Sequence, residues 1–304
     1  MKIQYLIIPL LAVLFASCDK TGEAIVNENE SLSFYYHRYG SFSGLNEKFK
    51  ITADSIYYSI SYHNLHPLEL ISYETQIQTP NELWNSLTQS FNWETFTKIQ
   101  TGPCRACLDG LNEEFSVTKS DMIYTFTNGN DDKHYKQMQD FFDAMLIQAS
   151  VFRMDLSDLL GLPSSFGCSS FRVYKINYTG YNDIGIAVTG NREKLNLSET
   201  EQTFDLSKID AQDLNVEIKK FASGSQGYYC DCVFEGELSD TWTSVSGTVK
   251  IKIVQDYEGN PETFEKIYII NVILENIILK NDKENIIIVN QLEFKNVSVG
   301  WLPG

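Results

Sequence analysis

The chain reads as an α+β domain followed by an all-β antiparallel sandwich domain, both behind an export signal. Three observations predict this. Residues 32–155 mix short alternating strands with stretches of helical period, and residues 165–304 are almost entirely strand-like. In residues 1–17 one lysine, Lys2, precedes an apolar run from Tyr5 to Phe15 that is followed by small residues, the pattern of an export signal. That run is too short for a spanning helix, which needs roughly 20 apolar residues.

Within the first half, "SLSFYYHRYG" is a short aromatic strand ending at Gly40, and "EKFKIT" sets Phe49 and Ile51 against charged neighbours. "SIYYSISY" and "LELISYETQIQ" continue the alternation with aromatic and β-branched residues. The period then changes at "TPNELWNSL". Thr79 reads as an N-cap, Pro80 as the first helical residue and Glu82 as the capping-box partner, with Leu83 and Leu87 sharing a face. Asn92 starts a second short helix carrying Phe96 and Ile99. Two alternating strands follow, "EEFSVT" and "MIYTFT". The clearest helix then spans 131–148, with Tyr135, Met138, Phe141, Phe142, Met145 and Leu146 at helical spacing.

From Cys168 onward, strand-like runs are separated by turn clusters at 181–183, 190–191, 223–225 and 281–283, as an antiparallel sandwich requires. The last two runs predict a hairpin of long strands whose core includes Val272, Leu274, Ile286, Ile288, Leu292 and Phe294.

The signal ends in Phe15-Ala16-Ser17-Cys18, which resembles the lipobox of bacterial lipoproteins. The resemblance implies lipid attachment at Cys18, cleavage before it, and anchorage in the cell envelope, at the periplasmic or surface face of the outer membrane. Several acyl chains anchor stably where one does not. Residues 18–31, polar and poor in aromatics, read as a flexible tether. With 24 Lys+Arg against 40 Asp+Glu, the chain repels nucleic acid and anionic headgroups, so neither is an expected partner.

Five cysteines remain: Cys104, Cys107, Cys168, Cys230 and Cys232. Outside the cytoplasm they can oxidise. "CRAC" at 104–107 lacks the following helix a redox dithiol uses, since Leu108-Asp109-Gly110 is a turn. A zinc site would need a second ligand pair, and Cys230-Asp231-Cys232 has poor spacing for one. Haem attachment would need a histidine where Leu108 stands. A local disulfide from Cys104 to Cys107 is the expectation, with Cys168 bridging to Cys230 or Cys232. The histidines His37, His63, His66 and His134 form no metal-binding pattern, and "TNGNDDKH" reads as a helix-capping turn rather than a calcium loop. Hydrolase, P-loop and metalloprotease motifs are missing, so no enzyme, cofactor or metal is expected. With 17 Tyr, 18 Phe and 4 Trp, the aromatic richness reads as core filling and cross-strand pairing, with a carbohydrate-binding platform as the alternative.

The order of elements around "HRYGSFSGLNEKFKI" and "CLDGLNEEFSVTKSDMIYTF" resembles the emfourin-type inhibitors of thermolysin-like metalloproteases over residues 32–150. Arg38, Gly40, Phe42 and Gly44 match the R-x-G-x-F-x-G element of that family. The resemblance implies a similar fold and an inhibitory loop at these positions; ordinary turns would equally use Gly40 and Gly44. The function expected is a non-enzymatic binding or envelope-interaction module for a protein or glycan ligand, with protease inhibition through the first domain as the alternative.

Overall fold

The structure is a computed structural model that describes residues 32–40, 44–65, 68–108, 110–156, 165–169, 171–177, 183–223, 229, 237–256 and 267–300. The expectations for the signal, the tether, Cys18, Phe42, His66, Cys230 and Cys232 lie outside the described residues.

The protein is mostly antiparallel β, built as two sheets with helices between them. The first sheet takes β1 (Leu32–Gly40), β2 (Leu45–Thr52), β3 (Ser55–Leu65), β4 (Leu68–Gln78), β5 (Leu111–Lys119) and β6 (Met122–Thr127) in the order β4-β3-β2-β1-β5-β6. Alternation fixes its inner face. One cross-strand row runs Ile77, Ile56, Ile51, Phe34, Val117, and the next runs Thr75, Tyr58, Phe49, Tyr36, Phe115, Phe126.

Helices α1 (Asn81–Ser90), α2 (Trp93–Phe96), α3 (Lys133–Gln137) and α4 (Gln139–Asp155) follow β4 and β6. Helix α1 begins one residue later than expected, with Pro80 at the cap, because the Thr79 hydroxyl donates to the Thr52 carbonyl at 2.8 Å instead of capping. Helix α2 is capped by Asn92 as its sequence suggests. The single helix expected over 131–148 is two helices. Asp132 caps α3, the backbone leaves helical geometry at Met138 (φ −112°, ψ 21°), and the break lets Tyr135 stack on Phe142 at 4.0 Å.

Helix α4 also runs past the expected end to Asp155, for a physical reason. It lies between the two sheets, so Asp143, Gln148, Ser150 and Arg153, which look like a solvent face, are buried. No described helix is long and apolar enough to cross a membrane.

The second sheet contains β7 (Phe166–Cys168), β8 (Arg172–Asn177), β9 (Ile184–Gly190), β10 (Gln202–Asp205), β11 (Leu214–Ser223), β12 (Glu237–Asp256), β13 (Tyr268–Lys280) and β14 (Ile286–Val299). Its order is β14-β13-β12-β11-β9-β8-β7, with β10 also paired to β12, and the one-turn helix α5 (Arg192–Leu195) lies between β9 and β10. Long β12 bends at register shifts around Gly247 (φ +123°), where glycine supplies a backbone that other residues rarely adopt. The sheet curls until its edges approach: Gly300 N–H donates to the Ser169 carbonyl at 2.7 Å, and Gly167 lies against Val297 and Val299. The terminal hairpin pairs as expected, and its six anticipated core residues are all buried.

One buried apolar cluster continues from Phe34 through α4 to Ile288 and Leu292. Three polar contacts fasten α4 within it. Arg153 forks onto Glu47 of β2 with contacts of 2.5 to 3.0 Å, and Lys220 of β11 meets Asp143 at 2.5 Å. Gln148 brackets Ile288 of β14, donating to its carbonyl at 2.8 Å and accepting its N–H at 3.0 Å. Arg153, Asp143 and Gln148 of α4 thereby each have a partner, which offsets the cost of burying them.

Candidate functional site

Strand β1 carries aromatic residues on both faces. Phe34 and Tyr36 enter the core, while Tyr35, His37 and Tyr39 are half-buried on the opposite, open face of the first sheet. Register extends them into three rows. The first is Gln76, Tyr57, Lys50, Tyr35, Ser116 and Thr125; the second is Glu74, Ser59, Lys48, His37, Glu114 and Thr127. The third is Ser72, Ser61, Asn46, Tyr39 and Asn112.

The side chains hold one another in place. His37 Nε2 lies 2.8 Å from Asn46 Oδ1, and Nδ1 lies 4.0 Å from Glu114. The His37 ring sits 4.6 Å from Tyr39 and 6.0 Å from Tyr35, tilted rather than stacked. Tyr57 donates to Glu74 at 3.1 Å, and the Ser116 and Thr125 hydroxyls are 2.8 Å apart. Burial, then the nearby charge of Glu114 and the Tyr57 phenol, raise the Tyr35 phenol above its ordinary range, so it stays neutral and keeps its proton to donate. The surface offers flat rings flanked by hydroxyl, amide and carboxylate groups. Such a surface can bind.

The expected loop residues gather at one end of this sheet. Cys104 and Cys107 are joined by a disulfide, and Cys107 lies within a 3₁₀ turn over Ala106–Leu108. Two asparagines fix that loop: Asn112 Oδ1 accepts from the Arg105 and Ala106 N–H groups, and Asn128 donates to the Pro103 carbonyl at 2.7 Å. Ala106 packs on Gly40, where a side chain would come within 2.9 Å of it. Both Gly40 (φ +116°) and Gly44 (φ +62°) use positive φ. Arg38 faces inward, across from Glu47 and Glu113 in the register, and its guanidinium is 3.9 Å from Glu47. Cys168 is disulfide-bonded, with its Sγ 3.2 Å from the Tyr229 carbonyl oxygen.

Of the histidines, His63 is exposed at the end of β3, and His134 Nδ1 lies 3.0 Å from the capping Asp132. Among the described residues no three His, Cys, Asp or Glu side chains are placed to hold a metal. Most large aromatics fill the interior: Phe34, Phe96, Phe126, Phe141 and Phe142 are all under 2% exposed. Others are less enclosed, among them Tyr35, Tyr39 and Tyr57 on the open face and the exposed Phe166.

A cavity of about 190 Å³ opens between β4, α4 and β14, lined among others by Tyr73, Thr75, Phe152, Asp155 and Asn290. Its volume is below the roughly 300 Å³ at which small-molecule sites begin.

Sequence reasoning missed the buried pairs Glu47–Arg153 and Asp143–Lys220, although Glu47 lies in phase with the inward Phe49 and Ile51. Neither a protein-family model nor a curated protein matches this chain.

Proposed function

We propose that the chain is an exported lipoprotein, anchored through Cys18 in the bacterial cell envelope, whose α+β domain (32–155) and sandwich domain (165–304) bind rather than react. The outer membrane is its station, and the ligand is a saccharide held on the open face of the first sheet. One observation carries this reading: Tyr35, His37 and Tyr39 line one strand face, where no core requirement accounts for aromatic residues. A pyranose places its apolar C–H face against such rings and sends its hydroxyls to flanking polar groups, here Asn46, Ser59, Ser61 and Gln76. The acidic surface, formal net charge −16, suits a neutral or cationic glycan better than an anionic one. Electrophoresis of the mature chain through gels holding neutral polysaccharides tests it. Retardation by at least one polysaccharide is expected, and migration unchanged by every gel overturns it.

A second reading, inhibition of thermolysin-like proteases through residues 38–45, is favoured by the positive-φ glycines that frame that loop. It predicts slowing of such a protease by the full chain at micromolar concentration, and an unaltered rate rejects it.

A further inference from the structure

The two sheets treat their edges differently. At β14 the outward backbone is capped: Ser86 Oγ accepts the Ile286 N–H at 3.2 Å, and Gln148 takes both the N–H and the carbonyl of Ile288. Edge capping of this kind prevents a strand from adding there. Strand β4, the other edge lining the same cleft, has no such guard among the described residues. It pairs only with β3, its eleven residues contain no proline or lysine, and its register with β3 runs without a bulge. Its ladder groups on the outer side are unsatisfied by any described side chain, and an extended backbone satisfies such a row best.

The cleft beside this edge is shaped for the side chains of an added strand. Tyr73, Thr75 and Ile77 point from β4 into the space over Phe152 and Leu156 of the α4 end, facing Asn290 of β14. Residues along a strand alternate in directing their backbone groups to a given edge, so after Ile286 and Ile288 the next outward pair on β14 belongs to Asn290. The cavity of about 190 Å³ admits a side chain or two, not a free ligand of ordinary size. Glu74 stands on the open face of β4, Asp155 lines the cleft, and the chain as a whole is acidic.

We propose that β4 is a strand-addition site that takes an extended segment of another protein, with β-branched residues alternating with neutral or basic ones. The segment pairs with Ser72–Gln78, and one β-branched side chain enters the cleft over Phe152. The site is separate from the open-face saccharide surface and stands or falls without it.

The probe is a nine-residue peptide alternating valine or threonine with lysine, compared with the same peptide carrying a central proline. Binding to the full chain is followed by fluorescence anisotropy, and amide exchange locates it. The expected result is saturable binding with slowed exchange confined to 72–78 and the cleft. The proline peptide and the variant Thr75→Lys, which sets an inward charge at the edge, should each weaken binding at least tenfold. Circular dichroism and the melting curve of Thr75→Lys verify that the variant is folded, and Thr203→Lys, at an exposed position of β10 in the second sheet, should bind like the parent. Absence of binding at millimolar peptide overturns the proposal, and so does binding without protection of 72–78. Concentration-dependent self-association that protects the same amides and excludes the peptide would assign the edge to a second copy instead, and would also overturn it.

Discussion

Replacing Arg153 by methionine removes the cation from the interior of the fold while keeping most of the side-chain volume. Glu47 is fully buried and accepts from Arg153 through two guanidinium nitrogens and from the Tyr58 hydroxyl at 2.8 Å. After the change it would keep Tyr58 and a distant Arg38 at 3.9 Å, too little to offset the loss of water around a carboxylate. Breaking a buried pair in this way costs about 3–5 kcal/mol. For a chain of this size, each kcal/mol lowers Tm by about 2–4 °C, so a fall on the order of 10 °C is expected. Urea unfolding followed by tryptophan fluorescence measures the loss. The double variant Arg153→Met with Glu47→Gln should recover at least half of it, because the uncompensated charge is gone. A single variant within about 1 kcal/mol of the parent would refute the reasoning, since the pair would then contribute no more than an exposed one. A double variant no better than the single would locate the cost in packing instead.

Three further outcomes are expected. Burial raises the Asp143 carboxyl, against the pull of Lys220 and Gln139, so its contribution to stability is greatest below 3.8 and is lost as pH rises through the folded value. Lys220→Gln removes the charge opposing that shift, so the variant should be about 3 kcal/mol less stable than the parent at neutral pH, with the gap narrowing toward pH of about 4; a constant gap in urea unfolding across that range contradicts the assignment. Cys104→Ser opens a disulfide between residues three apart, and loop entropy limits its cost to about 2 kcal/mol, readable as a small shift in the urea midpoint. Cys18→Ala should move the protein from the detergent phase to the aqueous phase in partitioning of a bacterial expression host, and continued partition with detergent would remove the lipid anchor from the account.

How legible the molecule was depended on whether a residue's neighbours lie close in sequence. Strand positions on one face of the first sheet follow from alternation, and so do the six core residues of the terminal hairpin, because apart from β1 against β5 the strands involved pair with sequence neighbours. Helix α4 was harder. Its partners Lys220 and Ile288 lie 77 and 140 residues away, so the helical period alone does not reveal that Asp143 and Gln148 are buried between two sheets. Its end at Asp155 and its break at Met138 answer to packing that no local period encodes. The Cys104–Cys107 staple was readable from the expected export signal and the turn expected after the motif, whereas the asparagines holding its loop were not, since Asn112 and Asn128 act through long-range contacts. The tyrosines of β1 lay between these cases. Aromatic richness alone pointed to a core, and only the register separates Tyr35 and Tyr39 from Phe34 and Tyr36.

The claim that the open face of the first sheet is the binding surface is tested most directly by one comparison. The parent and the double variant Tyr35→Ala with Tyr39→Ala are titrated calorimetrically with whichever neutral polysaccharide retards the parent. Both side chains are only half-buried, so the variant should stay folded with a near-parental melting curve. The account predicts at least a tenfold loss of affinity in the folded variant. Equal affinity in the two proteins would place the ligand elsewhere and contradict it.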